Sequence, residues 1–306
     1  MTDIRPRPNW MKPLQADPAA VDAAFQACVD VYRDHPAPTH LCRQCLSEEM
    51  EKQIIGAAHL AQQGKTPSPQ DFAQIYFEHP DCVGGLDTIK LFLPHGIRTM
   101  LSGRPPNGFG SYSYPEVLEA NLKAGFWFWP AKLIDPVREL AARLFWDWFR
   151  DGRYDWPRPE QGAEDMIGPG DEIMTLCIAC LIDPADLIGA LTTLKTTQSD
   201  EALSIAGSFA PENPFYISFE TAREPAKYKP ASDKIAVSLA AREAQAALSL
   251  VTPDWLRAAF WRHEAQQPKL AADLSEYEKY YDIKTAETRQ RAGDPILTDW
   301  PDLPRV

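Results

Sequence analysis

Apolar side chains recur three and four residues apart along most of this chain, the spacing of a helix face directed at a core. The first such run, 18–34, places Val21, Phe25, Cys28, Val29 and Tyr32 on one side. Asp17 before Pro18 supplies an N-cap and a first helical residue that needs no N–H partner. A second helix is predicted from Ser47, where Glu48, Glu49 and Glu51 load the positive end, to about Gln63, where Gly64 stops it. The pattern then predicts helices over 68–78, 86–101, 115–124 and 131–150. Between the last two stands the aromatic block Phe126-Trp127-Phe128-Trp129-Pro130. Further helices are predicted at 172–182, 185–195, 200–208, 234–249, 253–265 and 268–291.

One run is strand-like, Phe215-Tyr216-Ile217-Ser218-Phe219, and a single short run makes no sheet. The expected fold class is therefore all-α, an irregular multi-helix bundle or solenoid-like array, with minor β content at most. No fixed repeat period marks a known solenoid. From Asp151 to Asp171 the chain is polar and broken by Gly and Pro, which places a lobe boundary there. The expected organisation is an N-terminal lobe over 1–152 and a C-terminal lobe over 153–306, or one continuous domain.

Composition narrows this picture. Of 306 residues 28 are proline, against roughly 15 from average usage, and many fall between the apolar runs, where they end helices. Lys and Arg total 31 against 43 Asp and Glu, a formal charge of −12. Such a field repels phosphate backbones and anionic lipid surfaces, so direct nucleic-acid and membrane binding are disfavoured and a basic protein partner is allowed, with solubility alone as the plainer reading of the charge. No apolar run has the length of a signal peptide or a membrane span, and the expected location is cytoplasmic. In that setting six cysteines fit reduced thiols or metal ligands better than disulfides.

The strongest chemical signal is His40-Leu41-Cys42-Arg43-Gln44-Cys45, a Cys-x-x-Cys pair, followed by His79-Pro80-Asp81-Cys82, a second pair with the same gap. Thiolates and imidazole suit zinc, and Cys42, Cys45, His79 and Cys82 together would close a tetrahedral site. Four protein ligands leave no position for water, so the expected cofactor is one structural zinc ion that staples the N-terminal helices. His35, His40, His59 and Cys28 compete as completing ligands.

Cys177 and Cys180 form another Cys-x-x-Cys, but inside the apolar run Ile173–Ile182, where cysteines pack as small hydrophobes. Leu91-Phe92-Leu93-Pro94-His95-Gly96-Ile97-Arg98 reads as core kinked at Pro94, with a His95 and Arg98 surface as the alternative. The aromatic cluster of Phe126 to Trp129 with Phe145, Trp146 and Trp148 reads as core between helices, with an exposed anchor surface as its alternative. Arg257, Arg262, His263 and Glu264 around Phe260 and Trp261 read as an amphipathic helix. Nucleotide-binding glycine loops, the metalloprotease His-Glu-x-x-His and the Gly-x-Ser-x-Gly elbow are absent, so no catalytic residues are assigned.

Cys42, Cys45, the run Phe92-Leu93-Pro94-His95 and Trp129-Pro130 occur in the order seen in a group of uncharacterised bacterial helical proteins, which the chain resembles from about 25 to 150. That group carries a Phe-Leu-Pro-Arg motif, and His95 departs from its arginine. The resemblance implies a companion of a bacterial toxin system. The expected function is an immunity or inhibitor protein that occludes the active site of a basic toxin domain through an acidic surface. The alternatives are a metal-assisted enzyme of unfamiliar motif, with a cleft between the lobes, and a scaffold subunit of a larger complex.

Overall fold

Asp17 leaves extended backbone and accepts the Ala19 N–H at 3.1 Å, and the chain winds from there into the first helix. The computed structural model describes residues 11–14, 17–101, 115–123, 125–150, 169–205 and 229–292. The strand-like run 215–219 and almost all of the expected lobe boundary lie outside the described residues.

In the N-terminal half the helices are α1 (Pro18–Tyr32), α2 (Glu48–Gln62), α3 (Pro69–Phe72), α4 (Leu86–Leu101), α5 (Pro115–Lys123) and α6 (Ala131–Arg150). The C-terminal half holds α7 (Pro169–Ala179), α8 (Pro184–Leu194), α9 (Thr197–Ile205), α10 (Lys229–Leu250), α11 (Pro253–His263), α12 (Pro268–Lys279), α13 (Tyr281–Lys284) and α14 (Ala286–Ala292). No strand occurs among the described residues, and the fold is all-α. No described helix is long and apolar enough to cross a membrane.

α4 is the axis of the N-terminal half. Ile89, Leu91, Phe92, Leu93, Ile97 and Met100 are all buried, on every side of the helix, as expected of an element covered all round. α1, α2, α3, α5 and α7 each pack on it. Pro94 lies inside this helix and His95 is buried beside it, while Arg98 reaches the surface over the Phe25 ring. The core reading of the run therefore holds for His95 and not for Arg98. α1 also packs along α6, where the buried Tyr32 hydroxyl donates to the Leu133 carbonyl at 2.8 Å.

The expected helix 68–78 is instead α3 followed by a 3-10 turn, Ala73–Tyr76. A 3-10 turn eclipses positions three apart, which directs Phe72 with Ile75, and Ala73 with Tyr76, into the core. Phe72 stacks on Phe92 at 4.9 Å, and the Tyr76 hydroxyl donates to the Phe92 carbonyl. The expected helix 268–291 is likewise broken into α12, α13 and α14 with no Gly or Pro at the breaks. Tertiary packing accounts for this: Tyr277 is buried and stacks on Tyr281, and α14 packs on α10 with Thr285 and Thr288 buried.

α6 joins the two halves by packing on α7, α8 and α9. The Trp127 indole donates to the Ala179 carbonyl at 2.8 Å, and the Arg138 Nε to the Cys180 carbonyl at 2.6 Å. Phe126, Trp127, Trp129, Phe145 and Trp146 are buried and Trp148 is half-buried. These aromatics are core, so they are not the exposed contact that the scaffold alternative requires. In the C-terminal half Asp183 caps α8 through the Ala185 N–H and pairs with Arg242 of α10, joining those two helices.

Candidate metal centre

Glu51 sets the position of the first cysteine pair. It lies one turn before Ile54 and two before Ala58 on the buried face of α2, and only 6% of it is exposed. Its Oε1 accepts the Leu41 N–H at 3.1 Å and faces His40 Nδ1 at 2.9 Å, and Oε2 pairs with Arg43 at 2.7 Å. The Leu41 amide, with help from Arg43 and His40, holds this carboxyl below the usual carboxylate range. The chain on either side of Leu41 is thus tied to the helix that follows it.

From there 42–46 turns back on itself, with the Cys45 and Leu46 amides donating to the Cys42 carbonyl. The Cys42 sulfur accepts backbone N–H groups from Gln44 and Cys45, which pull its thiol below the ordinary range. Amide donors around a sulfur are what a metal-binding knuckle needs, because they stabilise thiolate charge before and after an ion arrives.

The second segment meets this knuckle through the Cys42 N–H, which donates to the Cys82 carbonyl at 2.9 Å. Cys82 sits in a 3-10 turn, Pro80–Val83, closed by Gly84 in the left-handed region at φ +92. A Cβ on Gly84 would stand 2.5 Å from Pro38 Cβ and 2.7 Å from Thr88 Oγ1, so the close approach of the two segments requires glycine there.

The result is a trio of sulfurs. The Sγ atoms of Cys42, Cys45 and Cys82 all lie within 4.8 Å of one another, and Cys45 Sγ is 3.4 Å from Cys82 Sγ. Around a tetrahedral zinc with bonds near 2.3 Å, sulfurs stand about 3.8 Å apart, so small shifts admit the ion. Crowding has a cost without one: the bond to Cys82, burial and the Cys42 sulfur push the Cys45 thiol up to about 12. A bound cation reverses that sign by stabilising all three as thiolates.

His79 stays outside the trio. It caps the 3-10 turn, and its Nδ1 accepts the Asp81 N–H at 3.3 Å. Of the four residues with metal-ligand spacing the structure thus brings three together. The competing residues point elsewhere: His40 to Glu51, His35 to Asp87 at 3.2 Å, His59 to Gln62, and Cys28 into the core. Cys177 and Cys180 are fully buried, as hydrophobes of α7 and its C-terminal turn, and burial pushes the Cys180 thiol up to about 12. Sequence reasoning assigned Glu51 only to the charged first turn. Its spacing of three and seven from Ile54 and Ala58 is the signal that places it on the buried face.

No protein-family model, curated protein or solved structure matches this chain.

Proposed function

We propose that this chain is a metal-stapled helical protein that binds a basic protein partner. In its most specific form the proposal is an immunity or inhibitor protein that covers the active site of a bacterial toxin domain. The observation that carries it is the acid excess, and it extends around the metal centre. Residues 17–101 hold eleven carboxylates against six Lys and Arg, and Asp34, Glu48, Glu49, Asp81 and Asp87 are exposed on the elements that build the site. Such a face steers a cationic partner and speeds its encounter. Cys42, Cys45 and Cys82 hold one zinc ion that fixes this face to α2 and α4.

The test is affinity capture from the native cell at low and high salt, followed by co-expression with a toxin encoded beside this chain. Recovery of a basic partner whose retention falls with salt, and protection of the cell, support the proposal. Recovery of no stable partner together with unchanged lethality overturns it. A second reading, metal-assisted catalysis, is favoured by one observation: three protein ligands are the number found where a metal keeps a position for water or substrate.

A further inference from the structure

All six cysteines and all six histidines of the chain lie among the described residues, so every thiol and imidazole donor can be located. Only Cys42, Cys45 and Cys82 converge, and no other described His, Cys, Asp or Glu brings a donor atom into their group. The two histidines nearest in sequence are each engaged in another task. His79 caps the turn that carries Cys82, and turning its Nδ1 to a metal would release the Asp81 N–H. His40 Nδ1 is engaged with Glu51, whose other contacts hold Leu41 and Arg43 in place.

The trio is also accessible. Cys45 is exposed and Cys42 and Cys82 are half-buried, whereas Cys28, Cys177 and Cys180 are fully buried. A structural four-ligand site closes around its ion. Here the three residues that carry the sulfurs remain at the surface.

The geometry points to a metal ion held by three sulfurs with its fourth coordination position open to an external imidazole donor. This inference rests on the metal assignment made above and revises its coordination from closed to open. Three thiolates place a net negative charge on a zinc centre, which favours a neutral borderline donor such as imidazole over carboxylate or phosphate. Water occupies the position until such a donor displaces it.

The experiment uses the full chain, cobalt(II) alone as the metal probe, a non-coordinating reductant, and free imidazole as the external donor. The expected result is one equivalent of cobalt with sulfur-to-metal charge transfer and four-coordinate visible bands, which move saturably as imidazole is added. His79→Ala leaves both the starting spectrum and the imidazole response within twofold of the parent. Bands that ignore imidazole, or that change in His79→Ala before imidazole is added, overturn the open position and make His79 the fourth ligand. Failure to bind cobalt, with Cys82→Ser indistinguishable from the parent, overturns the metal assignment itself. The imidazole titration of the unmodified chain stands alone if the His79 variant does not fold.

Discussion

Cys45 and Cys82 are 37 residues apart in sequence, and their sulfurs are 3.4 Å apart. Between them run the whole of α2, α3 and the 3-10 turn Ala73–Tyr76, so an ion at this point closes a loop that contains about a quarter of the N-terminal half. An ion that binds here in the native state and not in the unfolded chain adds to stability by mass action.

The first prediction concerns metal removal. Purified protein is expected to carry about one equivalent of zinc, and chelation is expected to lower its stability by about 4 kcal/mol when free zinc had stood at a thousandfold of Kd. In a domain of this size that is a fall in Tm of roughly 10 °C. Cys82→Ser should reproduce the loss, and chelator should then have no further effect. Scanning calorimetry with and without chelator checks both, and an unchanged Tm in the parent protein refutes the staple.

Gly84 offers a second test because it lies two positions from Cys82 without being a ligand. Gly84→Ala adds a Cβ into Pro38 and Thr88 and forces a left-handed backbone on a residue that resists it. A loss of about 3 kcal/mol is expected from strain and overlap together, with weaker metal binding because the Cys82 turn must shift. Urea titration and zinc competition measure the two effects separately. Gly85→Ala is the control: its φ is also positive, at +86, but the added Cβ meets nothing within 4 Å, so it should cost less.

The residues behind these two predictions were legible to different degrees. The two-residue gap in Cys42-Arg43-Gln44-Cys45 is a local property, and its polar setting before α2 separates it from the same gap in Cys177 and Cys180, which an apolar run buries in α7 and its C-terminal turn. That Cys82 joins this pair and His79 does not depends on which way one imidazole turns, and the Asp81 N–H decides it. α1 could be read from Asp17, Pro18 and five apolar positions because its cap and its face lie within 16 residues. The breaks between α12, α13 and α14 could not be read, since Tyr280 and Thr285 carry no breaker signal and the turns are imposed by packing on α10. Helix existence followed from periodicity, whereas helix interruption followed from contacts distant in sequence.

His95 gives the pH prediction. Burial against α3, with Arg98 one turn away, lowers its pKa from an ordinary 6.5 to about 4. Between those values the unfolded chain binds a proton that the folded chain refuses. Stability is therefore full above about pH 6.5 and falls as pH drops toward 4, by up to about 3 kcal/mol from this group. Replacing His95 with a residue of similar size that does not titrate, as in His95→Gln, should flatten that segment of the curve. Chemical denaturation at pH 7 and at pH 4.5 on both proteins gives the difference, and equal slopes in the two would refute the assignment.

Asp200 anchors the C-terminal half, and its substitution separates a paired charge from the groups it holds. The side chain is fully buried on α9, and its Oδ2 accepts Arg262 Nη2 at 2.8 Å and Nε at 3.0 Å, and lies 2.8 Å from His263 Nε2. Arg262 also covers the ring of Trp255 on its own helix at 5.7 Å, and α11 meets α9 through the Asp200 carboxylate. Removing the carboxylate leaves a guanidinium and an imidazole partly buried without their acceptor, and Asp200→Ala is expected to lose about 3 kcal/mol. Asp200→Asn keeps the volume and one acceptor oxygen and should fall between the parent and the alanine variant. If the cost is that of the stranded partners, Arg262→Ala in the Asp200→Ala background should cost less than in the parent, by more than about 1 kcal/mol. Four urea denaturation curves complete the cycle, and additive losses would show that Arg262 draws nothing from Asp200.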